Sequence, residues 1–509
     1  MLGTLAAGLT ATLVSPSLTS AEIAWVLQNA RPKVIITAKA CLPAMQEAIK
    51  LQEDHAFFDA VALYTVDVAG DRYPSAVQDL SSQDWKHLLH CPVKKISRPN
   101  NFDAKRRTAI ILWSSGTSGR SKGVLLSHHA LNFSIASLWH DADFYLGQRQ
   151  RWLAFVPFFH VFGMLNLFLL AIPSGATVYV MSAFKLDVML AAVQRRQITY
   201  LHMAPPIGVM LAKSPAIEKF AKRDAHGRNA FSSVTGAVTG GAPLGHDVVR
   251  QVFNRLGFRV RLGYGLTEAC SVTLQQGLSE GEMEAQGGST GLPHWGVELM
   301  IAGQPEAGSQ RTLPAKSGES GEVLVRSPGL LSAYLPVGGF SAGARKDMSA
   351  TVEALTPDGW FRTGDVGTIA PDGSLSITDR IKELIKVRAY QVAPAELEAI
   401  LCSSEEVADA GVIGVNDSAE ATEWPRAFVV PAGAVKRTED ELTALGHRLR
   451  ELVEKQTARY KWLKGGIVFV KQIPKSPSGK ILRRVMRQGM EAVLEVDVYK
   501  SESRARARL

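Results

Sequence analysis

Cysteine is scarce, with four in 509 residues. Cys41, Cys91, Cys270 and Cys402 lie far apart and form no Cys-x-x-Cys pair. That argues against a zinc site and a disulfide framework, and for a reducing compartment. Runs of like charge are also lacking. The formal net charge is +9, yet Lys and Arg are scattered and never interleave with aromatics, so nucleic acid is not an expected partner. Uninterrupted apolar runs are few. Met1 to Val14 has no basic leader or convincing cleavage site, so it does not read as a signal peptide. Trp152 to Ile172 approaches membrane-spanning length, but Pro157, His160, Gly163 and Asn166 interrupt it. A buried strand, a turn and a buried helix are predicted there, and no transmembrane helix.

What is present is an ordinary globular composition, 46% apolar and 21% charged. The length exceeds what one core fills, so two or more domains are expected. A basic surface also suits an enzyme with anionic substrates. Val34 to Ile36, Ala109 to Trp113, Leu153 to Val156, Thr177 to Val180 and Phe258 to Leu262 read as strands. In the last, Phe258, Val260 and Leu262 share one face and Arg259 and Arg261 the other. Helices are predicted between them at Val188 to Arg195 and Asp247 to Phe253. This alternation predicts an α/β domain with largely parallel sheets. From about Gly321 strands with Gly/Pro/Asp turns take over, including Pro371-Asp372-Gly373. A compact α+β region follows. Pro394 suits a first helical position, and Thr438 with Glu441 forms a capping box for a helix through Glu454. Ala302 to Ser320 reads as an exposed loop.

The centre of the chain is Ile111-Leu112-Trp113-Ser114-Ser115-Gly116-Thr117-Ser118-Gly119-Arg120-Ser121-Lys122-Gly123. A strand empties into hydroxyls, glycines and one lysine, and a helical pattern resumes at Ser127. Converging backbone N–H groups, hydroxyl donors and the Lys122 charge suit a phosphate, although the Walker pattern is absent. Pro157 to Met164 sets His160 among phenylalanines, as in the wall of an apolar pocket; a lone histidine in such a run is more often a core residue than a catalyst. Gly240-Gly241-Ala242 and Gly263-Tyr264-Gly265-Leu266-Thr267-Glu268 are strand-to-turn transitions where a planar ring can approach the backbone. Tyr264 offers an aromatic face, and Glu268 a ligand for phosphate-borne Mg²⁺. Asp365 suits ribose hydroxyls. Pro474 to Lys480 presents a lysine from a tight loop.

With Ala204-Pro205-Pro206-Ile207, Tyr264 to Ala269 and Gln391 to Glu398, these motifs stand in one order over about residues 1 to 485. The chain thus resembles the adenylate-forming superfamily of acyl-CoA synthetases, luciferase and peptide-synthetase adenylation domains, nearest its 4-coumarate–CoA-ligase-like branch. The resemblance implies a large N-terminal domain of packed α/β sheets with a β-rich subdomain (1–380), and a small mobile α+β domain (381–509) turning about a hinge near Lys382. It implies an ATP-dependent acid–CoA ligase for an aromatic or medium-chain aliphatic acid, using ATP, Mg²⁺ and coenzyme A. Ser114, Ser115, Gly116, Thr117, Ser118, Gly119 and Lys122 would hold the departing phosphates. Thr267 and Glu268 would serve phosphate and metal, and Tyr264, Gly265, Gly240, Gly241 and Ala242 would surround adenine. Asp365 and Arg380 would hold the ribose, with Lys480 bridging carboxylate and α-phosphate. Rotation would bring the face carrying Lys386, Ala389 and Gln391 to the thiol tunnel, and the resemblance makes Lys480, Lys386, His160, Thr267 and Glu268 the expected catalytic residues.

Three departures from the family pattern stand out. Met1 to Gly8 resembles a segment from well inside the usual chain, so a leading piece is expected to be missing. Ala389 and Cys270 stand where glycine is usual, which predicts a narrowed thiol path and a shortened acyl pocket. Two alternatives follow: adenylation with transfer to a carrier-protein thiol or an amine, and an inactive shortened remnant.

The final Ala507-Arg508-Leu509 keeps the small–basic–leucine order of a C-terminal peroxisomal signal, so peroxisomal import through its receptor is expected, with the cytoplasm as the alternative. A fluorescent protein fused ahead of the last dozen residues should become punctate and lose that pattern without Leu509. Diffuse signal from the intact tail would refute the address.

Overall fold

The computed structural model describes residues 1–66, 83–84, 102–114, 121–141, 149–303, 313–336, 339, 347–388, 390–417, 420, 422–433, 437–476 and 479–499. Ser115, Gly116, Thr117, Ser118 and Gly119, with Cys91, Ala389 and the tail from Lys500 on, lie outside these residues.

A seven-stranded sheet organises the large domain. Its strands Val260–Leu266, Gly236–Thr239, Tyr200–Met203, Arg151–Ala154 and Thr177–Val180 run parallel in that spatial order. Cys270–Leu274 and Leu292–Pro293 extend it antiparallel. The parallel strands are near-continuous apolar runs because helices cover them. Leu186–Arg196 and His246–Leu256 turn Met189, Leu190, Val193, Val248, Val249 and Val252 onto the sheet.

A second sheet joins Ala11–Thr12, Thr108–Ser114, Lys122–Ser127 and Ala333–Tyr334. Here the structure departs from the predicted strand–loop–helix order. Lys122–Ser127 is itself a strand, antiparallel to Thr108–Ser114, and the helix His128–His140 starts only after it. The run Gly123-Val124-Leu125-Leu126 is buried on both faces and so carries no alternation to betray a strand. The β-rich subdomain is the antiparallel sheet Glu298–Ile301, Gly321–Arg326, Phe361–Ile369 and Leu375–Arg380, with Gly373 at φ +86° in the predicted Pro-Asp-Gly turn.

Beyond Arg380 a small α+β unit begins. The hairpin Ile385–Val387/Tyr390–Val392 and the sheet Val407–Asp417, Thr422–Pro431, Ile467–Val470 and Ala492–Val496 pack on the helices Pro394–Ser403 and Glu439–Gln456. Pro394 is in the first turn of its helix and the Thr438/Glu441 capping box is formed, as the sequence predicts. No helix among the described residues is long and apolar enough to cross a membrane.

Inside the small unit the Arg483 guanidinium is buried between Glu398 (2.7 and 2.8 Å) and Glu383, and donates to the Val412 carbonyl. Glu398 also accepts the Val412 N–H at 2.8 Å. Removing one partner of a buried ion pair leaves the other uncompensated, at a cost of ~3–5 kcal/mol. Glu398→Ala should therefore lower the unfolding free energy of the small unit by that order in urea titrations followed by tryptophan fluorescence, and Glu398→Gln by less.

Candidate active site

Ligands of open α/β sheets sit at the carboxyl ends of the strands. Here those ends deliver the predicted motifs. Arg151–Ala154 leads to His160, Tyr200–Met203 to Ala204-Pro205-Pro206, Gly236–Thr239 to Gly240-Gly241, and Val260–Leu266 carries Tyr264 and ends just before Thr267 and Glu268. The strands crowd here. A Cβ on Gly240 would stand 3.0 Å from the Gly263 carbonyl oxygen, and one on Gly265 only 2.3 Å from the Cys270 oxygen. Both positions need glycine for close backbone approach.

A cleft is lined by His160, Phe162, Gly240, Gly241, Tyr264 and Gly265 among others. His160 caps a short helical turn, its Nδ1 accepting the Phe162 N–H at 3.3 Å, and burial holds the imidazole below its ordinary pKa. It is a neutral wall of the cleft. The π-helix Met164–Leu169 follows it and packs Met164, Leu165 and Leu167 into the core. Cys270 also lines the cleft, with φ +59°, a conformation glycine adopts more cheaply. Burial pushes its thiol up to about 11, which removes it as a nucleophile.

Beside the cleft, Asp365 is 3% exposed. It accepts the Tyr264 hydroxyl at 2.6 Å and pairs with Arg380 Nε at 3.0 Å. Burial and the Asp365 charge push the Tyr264 phenol well above its ordinary pKa. Glu268 accepts the Tyr334 hydroxyl at 2.9 Å, and the Lys122 ammonium lies 5.0 Å from the Tyr334 ring centre. So the base of the central loop, Ser114 and Lys122, borders the Glu268 end of the site. Among the described residues no cluster of three or more His, Cys, Asp or Glu is arranged to hold a metal. Thr267 and Ala242 are partly buried in the turns that follow their strands.

Lys480 arrives from the small unit. A Cβ on Gly479 would stand 2.8 Å from Pro206 and 3.4 Å from Ala204, so the loop lies directly on the large domain. Burial and the neighbouring Arg380 guanidinium lower the Lys480 pKa, partly offset by Glu383 and Asp365. Lys386 and Gln391 are exposed on the small unit's hairpin. Neither is brought to the cleft in this arrangement.

Two functional contacts escaped the sequence. Lys213, ending the helix Pro205–Lys213, donates to the carbonyls of Cys402 (2.6 Å), Ser404 (3.4 Å) and Val407 (3.3 Å) in the small unit. Asp379 accepts the Ala395 N–H at 2.9 Å, at the start of Pro394–Ser403. Lys213 sits in no motif; Asp379 opens the motif stretch Asp379 to Lys386, but nothing in that stretch marks Ala395 as its partner.

Residues 1–335 match the family model described as "AMP-binding enzyme", and residues 396–480 match "AMP-binding enzyme C-terminal domain". The chain is 32% identical over 502 residues to probable 4-coumarate–CoA ligase 2 of Dictyostelium discoideum, spanning 95% of this chain and 82% of that one. It is 32% identical over 495 residues to 4-coumarate–CoA ligase 2 of Nicotiana tabacum, spanning 96% and 81%. Its fold superimposes on ATP-bound MatB from Rhodopseudomonas palustris with TM-score 0.76 at 23% identity, covering 96% of this chain and 85% of that one. A benzoate–CoA ligase from Burkholderia xenovorans LB400 gives TM-score 0.75 at 20% identity, covering 96% and 86%. The chain belongs to the AMP-binding enzyme family, the adenylate-forming superfamily, in its 4-coumarate–CoA-ligase-like branch.

Proposed function

We propose that the protein is an AMP-forming acid–CoA ligase. The observation that carries the reading is the seating of the Gly479-Lys480 loop against Ala204 and Pro206, where Lys480 feels the charges of Arg380 and Asp365, with Asp365 bonded to the cleft residue Tyr264. The acid's carboxylate attacks the α-phosphorus of ATP, pyrophosphate departs, and the acyl group is left as a mixed anhydride with AMP. The sulfur of coenzyme A then attacks the acyl carbon and AMP departs. Curated relatives at 30% identity or more carry CoA-ligase names, which favours coenzyme A over a carrier thiol or an amine.

Tyr264 and Gly240 to Ala242 bound the adenine, and Asp365 holds the ribose. Asp365 is already fixed by Tyr264 and Arg380, so it needs no reorientation when substrate arrives. Glu268 fits Mg²⁺, which uses one or two carboxylates and keeps water and phosphate as its remaining ligands. When bound, the ion would offset phosphate charge. Lys480 supplies a cation where negative charge accumulates during attack, and Ser114 with Lys122 borders the departing pyrophosphate. After adenylation the small unit turns about residues near Lys382, withdrawing Lys480 and presenting the Lys386 and Gln391 face. Peroxisomal residence belongs to the same reading and rests on the tail sequence alone.

Lys480→Ala should slow carboxylate-dependent pyrophosphate release by roughly 10²–10³ and spare thioester formation from supplied acyl-adenylate. Equal losses in both would refute the role. Because burial and Arg380 lower the Lys480 pKa, kcat/KM for adenylation should fall at alkaline pH with a midpoint below the ordinary lysine value of about 10.4.

Lys213 caps the carboxyl end of Pro394–Ser403 across the interface, in the orientation that seats Lys480. Charged hydrogen bonds are worth about 1.5–3 kcal/mol, so Lys213→Ala should shift the balance between orientations by roughly 10–100-fold. The ratio of pyrophosphate release to thioester formation from supplied acyl-adenylate reports it; an unchanged ratio removes Lys213 from the latch.

A further inference from the structure

The phosphate end of the site hangs on two strands, and an earlier part of the chain holds both. Thr108–Ser114 and Lys122–Ser127 pair so that Ser114 stands opposite Lys122 and Trp113 opposite Gly123. Ser114 and Lys122 thus form a neck, with Ser114 Oγ 3.5 Å from the Lys122 carbonyl. The neck faces Glu268, because the Lys122 ammonium lies against the Tyr334 ring and the Tyr334 hydroxyl donates to Glu268.

On the rim away from Ser114, the Leu125 carbonyl accepts the Ser332 N–H at 2.8 Å and the Gly123 carbonyl accepts the Leu335 N–H at 2.7 Å. Groups facing one neighbour recur every second residue along a strand, so Ser121 presents the next carbonyl. Ala333–Tyr334 has ended by that point, and the donor is an indole instead. Trp25 Nε1 reaches the Ser121 oxygen at 3.0 Å. Trp25 is mounted on the helix Ser20–Ala30, fixed at its start by the Thr19/Glu22 capping box and packed through Ile23 and Leu27 into a core of its own. A trans peptide points its C=O and N–H opposite ways, so holding the Ser121 oxygen directs the Lys122 N–H toward Ser114.

The other rim is held in the same manner. Ala11–Thr12 runs parallel to Thr108–Ser114, with Thr12 beside Ile111. Trp113 Nε1 donates to Thr12 Oγ1 at 2.9 Å, and that hydroxyl donates to the Ile111 carbonyl at 3.3 Å. A half-buried indole needs a partner for its one N–H. Here each of two indoles spends it across roughly a hundred residues of chain, one on each side of the neck.

We infer that Trp25 and Thr12 are positioning residues for the phosphate end of the site, pinning the two rims so that Ser114 and Lys122 receive the β- and γ-phosphates of ATP. The inference rests on the adenylation reading and adds to it two residues that touch no substrate. Nucleotides that carry those phosphates depend on the pins, whereas AMP and the acyl-adenylate do not.

The test titrates the full chain calorimetrically with ATP and Mg²⁺, and separately with AMP. Trp25→Phe deletes the N–H and keeps an aromatic ring; Thr12→Val deletes the hydroxyl at nearly constant volume. Each should weaken ATP by roughly 2–10-fold, the worth of one hydrogen bond, and leave AMP unchanged. Thr12→Ser, which keeps the hydroxyl, should hold the ATP-to-AMP ratio at its wild-type value. In turnover the loss should appear in KM for ATP during pyrophosphate release, and not in thioester formation from supplied acyl-adenylate. Equal losses for ATP and AMP, as a general loosening of the fold would give, or an ATP affinity unchanged in either variant, would overturn the inference. If no acid releases pyrophosphate, the ligase reading falls, and the ATP-to-AMP ratio alone decides the role of the pins.

Discussion

The buried carboxylate of Asp365 is the interaction on which the site depends. An ionised group out of water must be paired and hydrogen-bonded. Its two oxygens are met from two directions, by the Tyr264 hydroxyl of the seven-stranded sheet and by Arg380 at the end of the β-rich sheet. The two sheets therefore share one charge, and the aromatic face of Tyr264 is aligned as a consequence. Arg380 is also the last residue of its strand, so the pair stands where the β-rich sheet ends and the small unit begins.

The small unit is seated on that frame by polar contacts and one close approach. Lys213 answers three carbonyls around the carboxyl end of Pro394–Ser403, and Asp379 answers an N–H at its start. The same helix is thus met at both ends by charges of the sign its dipole favours. Gly479 lies where any side chain would strike Pro206, which brings Lys480 within electrostatic reach of Asp365 and Arg380. A seat made of a few directional contacts holds one orientation but can be released, as two half-reactions sharing one site require.

Much of this was legible in the residues. Thr177 to Val180 is found as predicted, the predicted helices extend by a few residues at their ends, and the Thr438 capping box forms. Glycine-rich turns announced the strand ends because only glycine admits such close backbones. Other features left no periodic trace. Lys122–Ser127 hid as a strand within a buried run. Arg259 and Arg261, on the face opposite Val260, are both buried, paired with Gln275, Gln276 and Tyr200 rather than exposed. Tertiary partners nearly a hundred or more residues away, such as Asp141 and His294 or Lys213 and Cys402, cannot be read from spacing at all.

Cys270 shows how such departures act together. Its backbone is left-handed, and its carbonyl oxygen lies only 2.3 Å from where a Cβ on Gly265 would stand. A glycine would make that turn without strain, so the thiol is carried at a conformational cost of about 1–2 kcal/mol. What the side chain adds is volume at the cleft wall, immediately before Ser271 on the same strand. Alternation along a strand sends neighbouring side chains to opposite faces, yet the left-handed turn at Cys270 breaks that rule and lets both residues line the cleft. Cys270 thereby takes up space at the cleft wall beside Ser271.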